Sequence, residues 1–501
     1  MNTLLNGMKN ATNYGLTENG AIKHNTTMSG LLDLFAMGAA MRERTDGDCI
    51  LMFKRAYDEN PEYAMKCLFY IRDVRGGQGE RRFFRVVMKW LANHHTEAAR
   101  RNLQYVAEFG RWDDLYCFVG TCLEKDAFTI MKHQLALDVE CKTPSLLAKW
   151  LKSENASSKE STRLGNLTRT YFNMSHKEYR KTLAYLRAKI NIVERLMSEN
   201  RWDEIEFDKI PSKAGLIYKN AFARRDIIKE KYEKFAKDTT TTVNAGTLYP
   251  YEVVEKAINL MGSQSYGWIW SRSNNSGIDL DNTDRLMINK YWDNLTDYFA
   301  GSKLNALCMV DTSGSMHGTP INVATSLGLY CAEKAGGPFA NHYISFSSRP
   351  QLIECEGVDF CDKVDRIVRT NLCENTDIEL AFDMLLNTAC INHVTQKDLP
   401  ETILVISDME FDMASRQLNS NRVETVMESI AKKWESYGYH MPKLVYWNVN
   451  ARSNNIPVLG VKNVSFVSGF SPSIFQSIAT GKSGMDLMME TLDKERYSCI
   501  H

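Results

Sequence analysis

At 501 residues the chain is too long for one hydrophobic core, so two or three domains are expected. Hydrophobic residues make up 44% and charged residues 24%, as in ordinary globular proteins; no apolar run of 18 residues offers a membrane span, the start is too polar for a signal peptide, and a cytoplasmic protein is expected. The net charge is zero, but residues 1–300 carry 44 Lys and Arg against 38 Asp and Glu, whereas residues 301–501 carry 17 against 23, a basic part suited to polyanions followed by an acidic part suited to a cation.

Residues 1–30 are rich in Asn, Thr and Gly and predict an extended arm. Helical periodicity begins at Gly30, with Leu31, Leu34, Phe35 and Met41 on one face. Residues 46–48 read as a turn, 49–59 as a second helix, and Pro61 opens a third. There follows RDVRGGQGERR, residues 72–82, in which three glycines fall within four positions among Arg72, Arg75, Arg81 and Arg82, with Arg85 just beyond. No Lys-Ser/Thr follows the last glycine, so this is not a phosphate-binding P-loop. Two readings stay open: a helix corner with solvated arginines, or a contact with an anion or another chain.

Helices are expected at 82–93 and 97–109, with Asp113 capping the next. Residues 144–154 predict an amphipathic helix with Trp150 inward, and 155–163, NASSKESTR, a polar loop carrying Lys159 and Arg163. One long helix over 177–200 would bear a second basic patch with Arg180, Lys181 and Arg187. Helices are expected at 219–237, 249–261 and 287–299, with a long polar loop at 262–281. Helices alternating with short polar corners suggest stacked helical hairpins. Twelve cysteines are scattered without C-x-x-C or zinc spacing, as expected of free thiols in a reducing compartment.

From residue 301 apolar strands alternate with helices, which predicts a doubly wound parallel sheet. Strands are expected at 306–311, 341–346, 352–355, 402–407, 443–448 and 464–467, and helices at 320–334, 377–388, 422–437, 472–479 and 485–496. The first strand runs into Asp311, Ser313 and Ser315 at alternate positions, and the fourth ends in Asp408. Ligands sit beyond the carboxyl ends of such strands, and carboxylates with hydroxyls favour Mg²⁺, or Mn²⁺, over zinc. Thr376, just before a helix, is a further candidate ligand, or else a helix cap. No nucleophile–base pair lies beside them; His317 reads as a surface residue, and Glu410 and Asp412 as charge-tuning or solvated groups.

The D-x-S-x-S at a strand end resembles the metal-ion-dependent adhesion site of von Willebrand factor A domains. The resemblance implies Ser313, Ser315 and Thr376 as direct ligands, Asp311 and Asp408 as direct or water-bridged ones, and an open position for a partner's carboxylate. Asn375 stands where that family usually has Gly. Taken with the helical first half, the chain resembles the Ro/TROVE ribonucleoprotein family, and more closely a related uncharacterised family of plants, fungi, bacteria and large viruses, matched at residues 68–82, 110–115, 145–155, 210–214, 310–316 and 446–448.

Three parts are therefore expected: an arm at 1–30, a helical HEAT-like domain at 31–300, and an α/β von Willebrand factor A domain at 301–501. The resemblance implies a helical ring that binds single-stranded RNA ends or small structured RNA, and the basic corner, loop and helix face offer Arg72, Arg75, Arg81, Arg82, Arg85, Lys159, Arg163, Arg180, Lys181 and Arg187 as contacts. The expected function is a non-catalytic RNA-binding scaffold. The alternative is a protein-interaction module whose metal captures a carboxylate, and a metal-dependent nuclease comes third, because two-metal hydrolysis wants clustered carboxylates where this site has hydroxyls.

Overall fold

The structure is a computed structural model describing residues 12–190, 192–261, 263–266, 269–272, 280–299, 301, 304–346, 349–370, 376–413, 424–459 and 463–501. Strands β1 (Tyr14–Leu16) and β2 (Ile22–His24) pair as an antiparallel hairpin where an arm was expected. The polar composition is used internally: the Asn13 side chain accepts from the Asn25 and Thr26 amides at 3.1 Å each and donates to the Thr26 carbonyl at 2.8 Å. A second hairpin, β3 (Ser263–Tyr266) and β4 (Ile269–Arg272), lies where a loop was expected.

The main sheet holds β5 (Ala306–Asp311), β6 (His342–Phe346), β7 (Gln351–Glu354), β8 (Thr402–Ser407), β9 (Lys443–Asn448) and β10 (Val464–Ser468), in the order β10-β9-β8-β5-β6-β7. All neighbours are parallel except β7, an antiparallel edge on β6. Strands β5 and β8 are buried at every residue, as their unbroken apolar runs require of strands covered on both faces. The chain winds outward in one direction from β5 and in the other from β8, so the switch of direction, where such sheets bind ligands, falls between these two strands.

Contacts divide the chain into two compact units, residues 1–67 with 245–494 and residues 68–244 with 495–501. The sequence places divisions at 30/31 and 300/301, whereas spatial contacts group residues 1–67 with 245–494. The helix Gly30–Met37 joins the sheet unit, where Ser468 Oγ donates to the Phe35 carbonyl at 2.9 Å. By this division the unit built from 68–244 and 495–501 holds 34 Lys and Arg against 24 Asp and Glu, and the sheet unit 27 against 37.

Among its described residues that basic unit has helices and no strand, with departures from expectation that have local causes. Ser158 accepts from the Ser161 amide and starts a helix, Lys159–Phe172, inside the expected loop. The expected helix over 177–200 is two, His176–Ile190 and Val193–Ser198, divided beside the β-branched Ile190, Ile192 and Val193. Likewise 219–237 is two, Ser212–Arg224 and Asp226–Lys237. In the sheet unit the helix Phe360–Thr370 was not foreseen. Among the described residues every cysteine is a free thiol, and no helix is long and apolar enough to cross a membrane.

Candidate metal rim and basic cluster

At the carboxyl ends of β5 and β8 the chain gathers four of the five expected ligands. Asp311 is fully buried and its carboxylate accepts from the Ser313 amide at 2.9 Å and from Ser407 Oγ at 2.5 Å. Ser313 Oγ and Ser315 Oγ stand 3.1 Å apart, and the Ser315 hydroxyl also bonds Asp408. Asp408, 1% exposed, accepts from the Glu410 amide at 3.2 Å and from Arg452 Nη2 at 2.9 Å. Burial, then repulsion from Asp408, holds Asp311 well above the usual carboxylate range; burial also raises Asp408, against the pull of Arg452.

Thr376 is buried and joins the rim through the loop after β8: its carbonyl accepts from the Asp412 amide at 3.0 Å, and its hydroxyl lies 3.4 Å from Asn19 Nδ2. It does not cap the following helix, because Asp377 accepts from the Leu380 amide. Glu410 is not solvated; it is 1% exposed and accepts from the Glu18 amide and from Ser453 Oγ, each at 2.8 Å. His317 is exposed, as expected.

The donor set fits a small hard cation. Adjacent ligands on an octahedral Mg²⁺ at 2.0–2.1 Å lie about 3 Å apart, which is the spacing of the two serine hydroxyls. Both aspartates already receive protein donors, which suits them to a water-bridged part, and the two buried carboxylates share one arginine. Sequence reasoning missed Ser407, Arg452 and Asn19. Arg452 was within reach, since it follows β9, the parallel neighbour of β8, at the same end of the sheet.

The arginine-rich corner resolves differently. Arg72 is 2% exposed and gives Nε and Nη2 to Asp114 Oδ2 at 2.8 and 2.7 Å. Asp114, fully buried, also takes the Arg111 amide at 2.8 Å and Arg85 Nε at 2.6 Å. Asp113, expected as a cap, instead receives the Arg111 guanidinium at 2.8 and 2.7 Å, with Arg85 Nη2 at 3.1 Å and Lys152 at 4.0 Å; the capping carboxylate is Asp114. Burial pushes Asp113 upward, but the Arg111 and Arg85 guanidiniums outweigh it and hold the group below its ordinary value.

The glycines serve packing. A Cβ on Gly77 would stand 2.0 Å from the Tyr70 carbonyl oxygen, and the amides of Gln78, Gly79 and Glu80 all bond backbone carbonyls of this same corner. Asp73, fully buried, accepts from the Arg75 and Gly76 amides, from the Arg496 guanidinium, and from the Tyr497 hydroxyl at 3.1 Å.

Of the ten expected RNA contacts, Arg72 is corrected outright: it is sealed against Asp114. Arg187 is corrected too, because it donates to the Ala148 and Leu151 carbonyls at 2.9 Å each, ending the short helix Leu147–Trp150 where a longer one was expected. Arg85 is held by the two aspartates, Arg163 by Glu160 at 2.7 Å, and exposed Arg75 by the Glu108 carbonyl at 2.7 Å. Arg82 is half-buried. Lys159, Arg180 and Lys181 are exposed and have no ion pair among the described residues. Arg81 is exposed and has no ion pair among the described residues, and burial, then the Arg85 and Arg111 charges, press its pKa below the ordinary arginine value. Beside it, Arg111 lies 3.9 Å over the ring of half-exposed Trp150.

The model of a Domain of unknown function (DUF2828) matches residues 17–164 and 138–300, and that of a second Domain of unknown function (DUF7788) matches residues 305–497. An uncharacterized protein of Acanthamoeba polyphaga mimivirus is 26% identical over 530 residues, covering 96% of this chain and 87% of that protein. The crystal structure of the Ro (RSR) protein of Deinococcus radiodurans aligns with a TM-score of 0.36 and 12% identity, over 94% of this chain and 100% of that one.

Proposed function

We propose that this chain, which belongs to the DUF2828 family, is a non-catalytic scaffold that binds RNA through its basic helical unit. What carries the proposal is the excess of ten positive charges in residues 68–244 with 495–501, together with exposed Arg81, which has no ion pair among the described residues and lies near Arg111, itself over the ring of Trp150. Surplus cations give sequence-tolerant phosphate contacts, and an aromatic face next to a guanidinium accepts a base of any identity. Binding of single-stranded RNA, measured by filter retention at two salt concentrations, should weaken as salt rises. Arg81→Ala should lower the slope of log affinity against log salt by about 0.7 for each phosphate that Arg81 neutralises. Absence of binding at low salt, or binding indifferent to salt, would count decisively against it.

A second activity has its own support in the rim. We infer that Ser313, Ser315 and Thr376 hold Mg²⁺ or Mn²⁺, with Asp311 and Asp408 acting through water, and that the rim receives a carboxylate from a partner protein. The bound cation would supply Lewis acidity at an open position; the hydroxyls and buried carboxylates fix where it sits. Mg²⁺ or Mn²⁺ at about a hundred times its dissociation constant should stabilise the protein by about 2.7 kcal/mol, seen as a raised melting temperature. Asp311→Ala should remove the response, and a wild-type protein that melts identically with and without the ion has no such site.

A further inference from the structure

The N-terminal hairpin brings its turn, residues 17–20, onto the metal rim. Thr17 Oγ1 donates to the Phe411 carbonyl at 2.8 Å, the Glu18 amide to Glu410 Oε2 at 2.8 Å, and Asn19 Nδ2 to the Glu410 carbonyl at 2.6 Å. Gly20 adds an isolated antiparallel bridge to Asp412. All four anchors except the Asn19 amide are backbone groups or the buried Thr17, so the turn stays seated whatever the Glu18 side chain does.

That side chain reaches Arg452. Nη1 of Arg452 lies 3.0 Å from Glu18 Oε2, while Nη2 of the same guanidinium grips buried Asp408 at 2.9 Å. The fork is therefore fixed on its inner side and solvent-facing on its outer side, where Glu18 sits, and Arg452 Nε is buried with no hydrogen-bond acceptor among the described residues. The outer pair is wet: the Glu18 side chain is 54% exposed and that of Arg452 is 28% exposed. Exposed pairs of this kind contribute little, and a guanidinium fork suits carboxylates by geometry, so one carboxylate can replace another there at small cost.

We propose that Arg452 is a carboxylate receptor at the rim, that Glu18 is its resident occupant, and that the partner is an acidic protein segment that exchanges with Glu18. This rests on the inference that the rim receives a partner's carboxylate, and adds the residue that receives it and the residue that must yield. The occupant is a carboxylate because the inner half of the fork already selects one in Asp408, and because the chain's own tenant at the outer half is another.

The test is fluorescence anisotropy at low ionic strength with a labelled peptide of three glutamates, using the three-glutamine peptide as control, each in Mg²⁺ and in EDTA. Glu18→Ala should bind the acidic peptide more tightly than the wild-type protein, by up to about fivefold, while melting at the same temperature. The glutamine peptide should not bind, and Arg452→Gln should abolish binding of the acidic one. Binding that persists in EDTA and needs Arg452 upholds the receptor even if the rim holds no cation. Binding that needs Mg²⁺ and ignores Glu18→Ala leaves the cation reading standing and overturns this one. Equal affinities in wild type and Glu18→Ala, or no binding by either, also overturn it.

Discussion

Asp114→Ala should remove about 3–5 kcal/mol of stability from the basic helical unit, because it strips the counter-charge from a guanidinium that has no water to turn to. Arg72 and Asp114 are 2% and 0% exposed at their side chains, and the same carboxylate also holds the Arg111 amide and Arg85 Nε. One substitution thus removes the acceptor of four N–H donors from three residues. The reciprocal change, Arg72→Met, should cost less, since Asp114 would keep Arg85 and the Arg111 amide and the new side chain fills part of the space. Urea unfolding of the two variants gives the comparison directly. A loss below about 1 kcal/mol for Asp114→Ala, or a larger loss for Arg72→Met, would show that the corner is held by something else.

Gly77→Ala should be nearly as damaging, at or beyond the upper end of the about 1–3 kcal/mol typical of overpacking. The added methyl would meet the Tyr70 carbonyl oxygen at 2.0 Å and the Asp73 Cβ at 2.9 Å, and the first of these is backbone, with no rotamer to escape into. Gly79 is a useful contrast. Its φ of 64° is left-handed, so Gly79→Ala incurs conformational strain of about 1–2 kcal/mol. If thermal melting ranks Gly79→Ala as the more harmful, close approach is not what the corner demands of its glycines.

The sheet was readable because burial on both faces leaves a plain signature. The expected spans of β5, β8 and β9 coincide with the observed ones, and the two serines and Asp408 follow from where those strands end. The family expectation was met in its coarser form, by two domains of unknown function. The helix Phe360–Thr370 was legible yet passed over: Cys361, Val364, Ile367 and Val368 carry the helical period, but alternating charges between them conceal it. The fates of the arginines were not legible. Arg72 and Arg81 stand nine residues apart in one basic stretch, and what separates them is Asp114, about forty residues on, a partner that only tertiary packing brings. Composition records how many cations a segment has, and folding decides which of them are spent on neutralising its own carboxylates.

Buried Asp73 carries a consequence of another kind. Its carboxylate is closed by Arg496 and Tyr497, more than four hundred positions later in the chain. On a ribosome elongating at about 5–20 residues per second, that interval lasts roughly 20–85 s. For that time the nascent stretch 68–244 waits with a hydrated acid at its Gly-rich corner, so the clock of translation, and not local helix formation, dates its final consolidation.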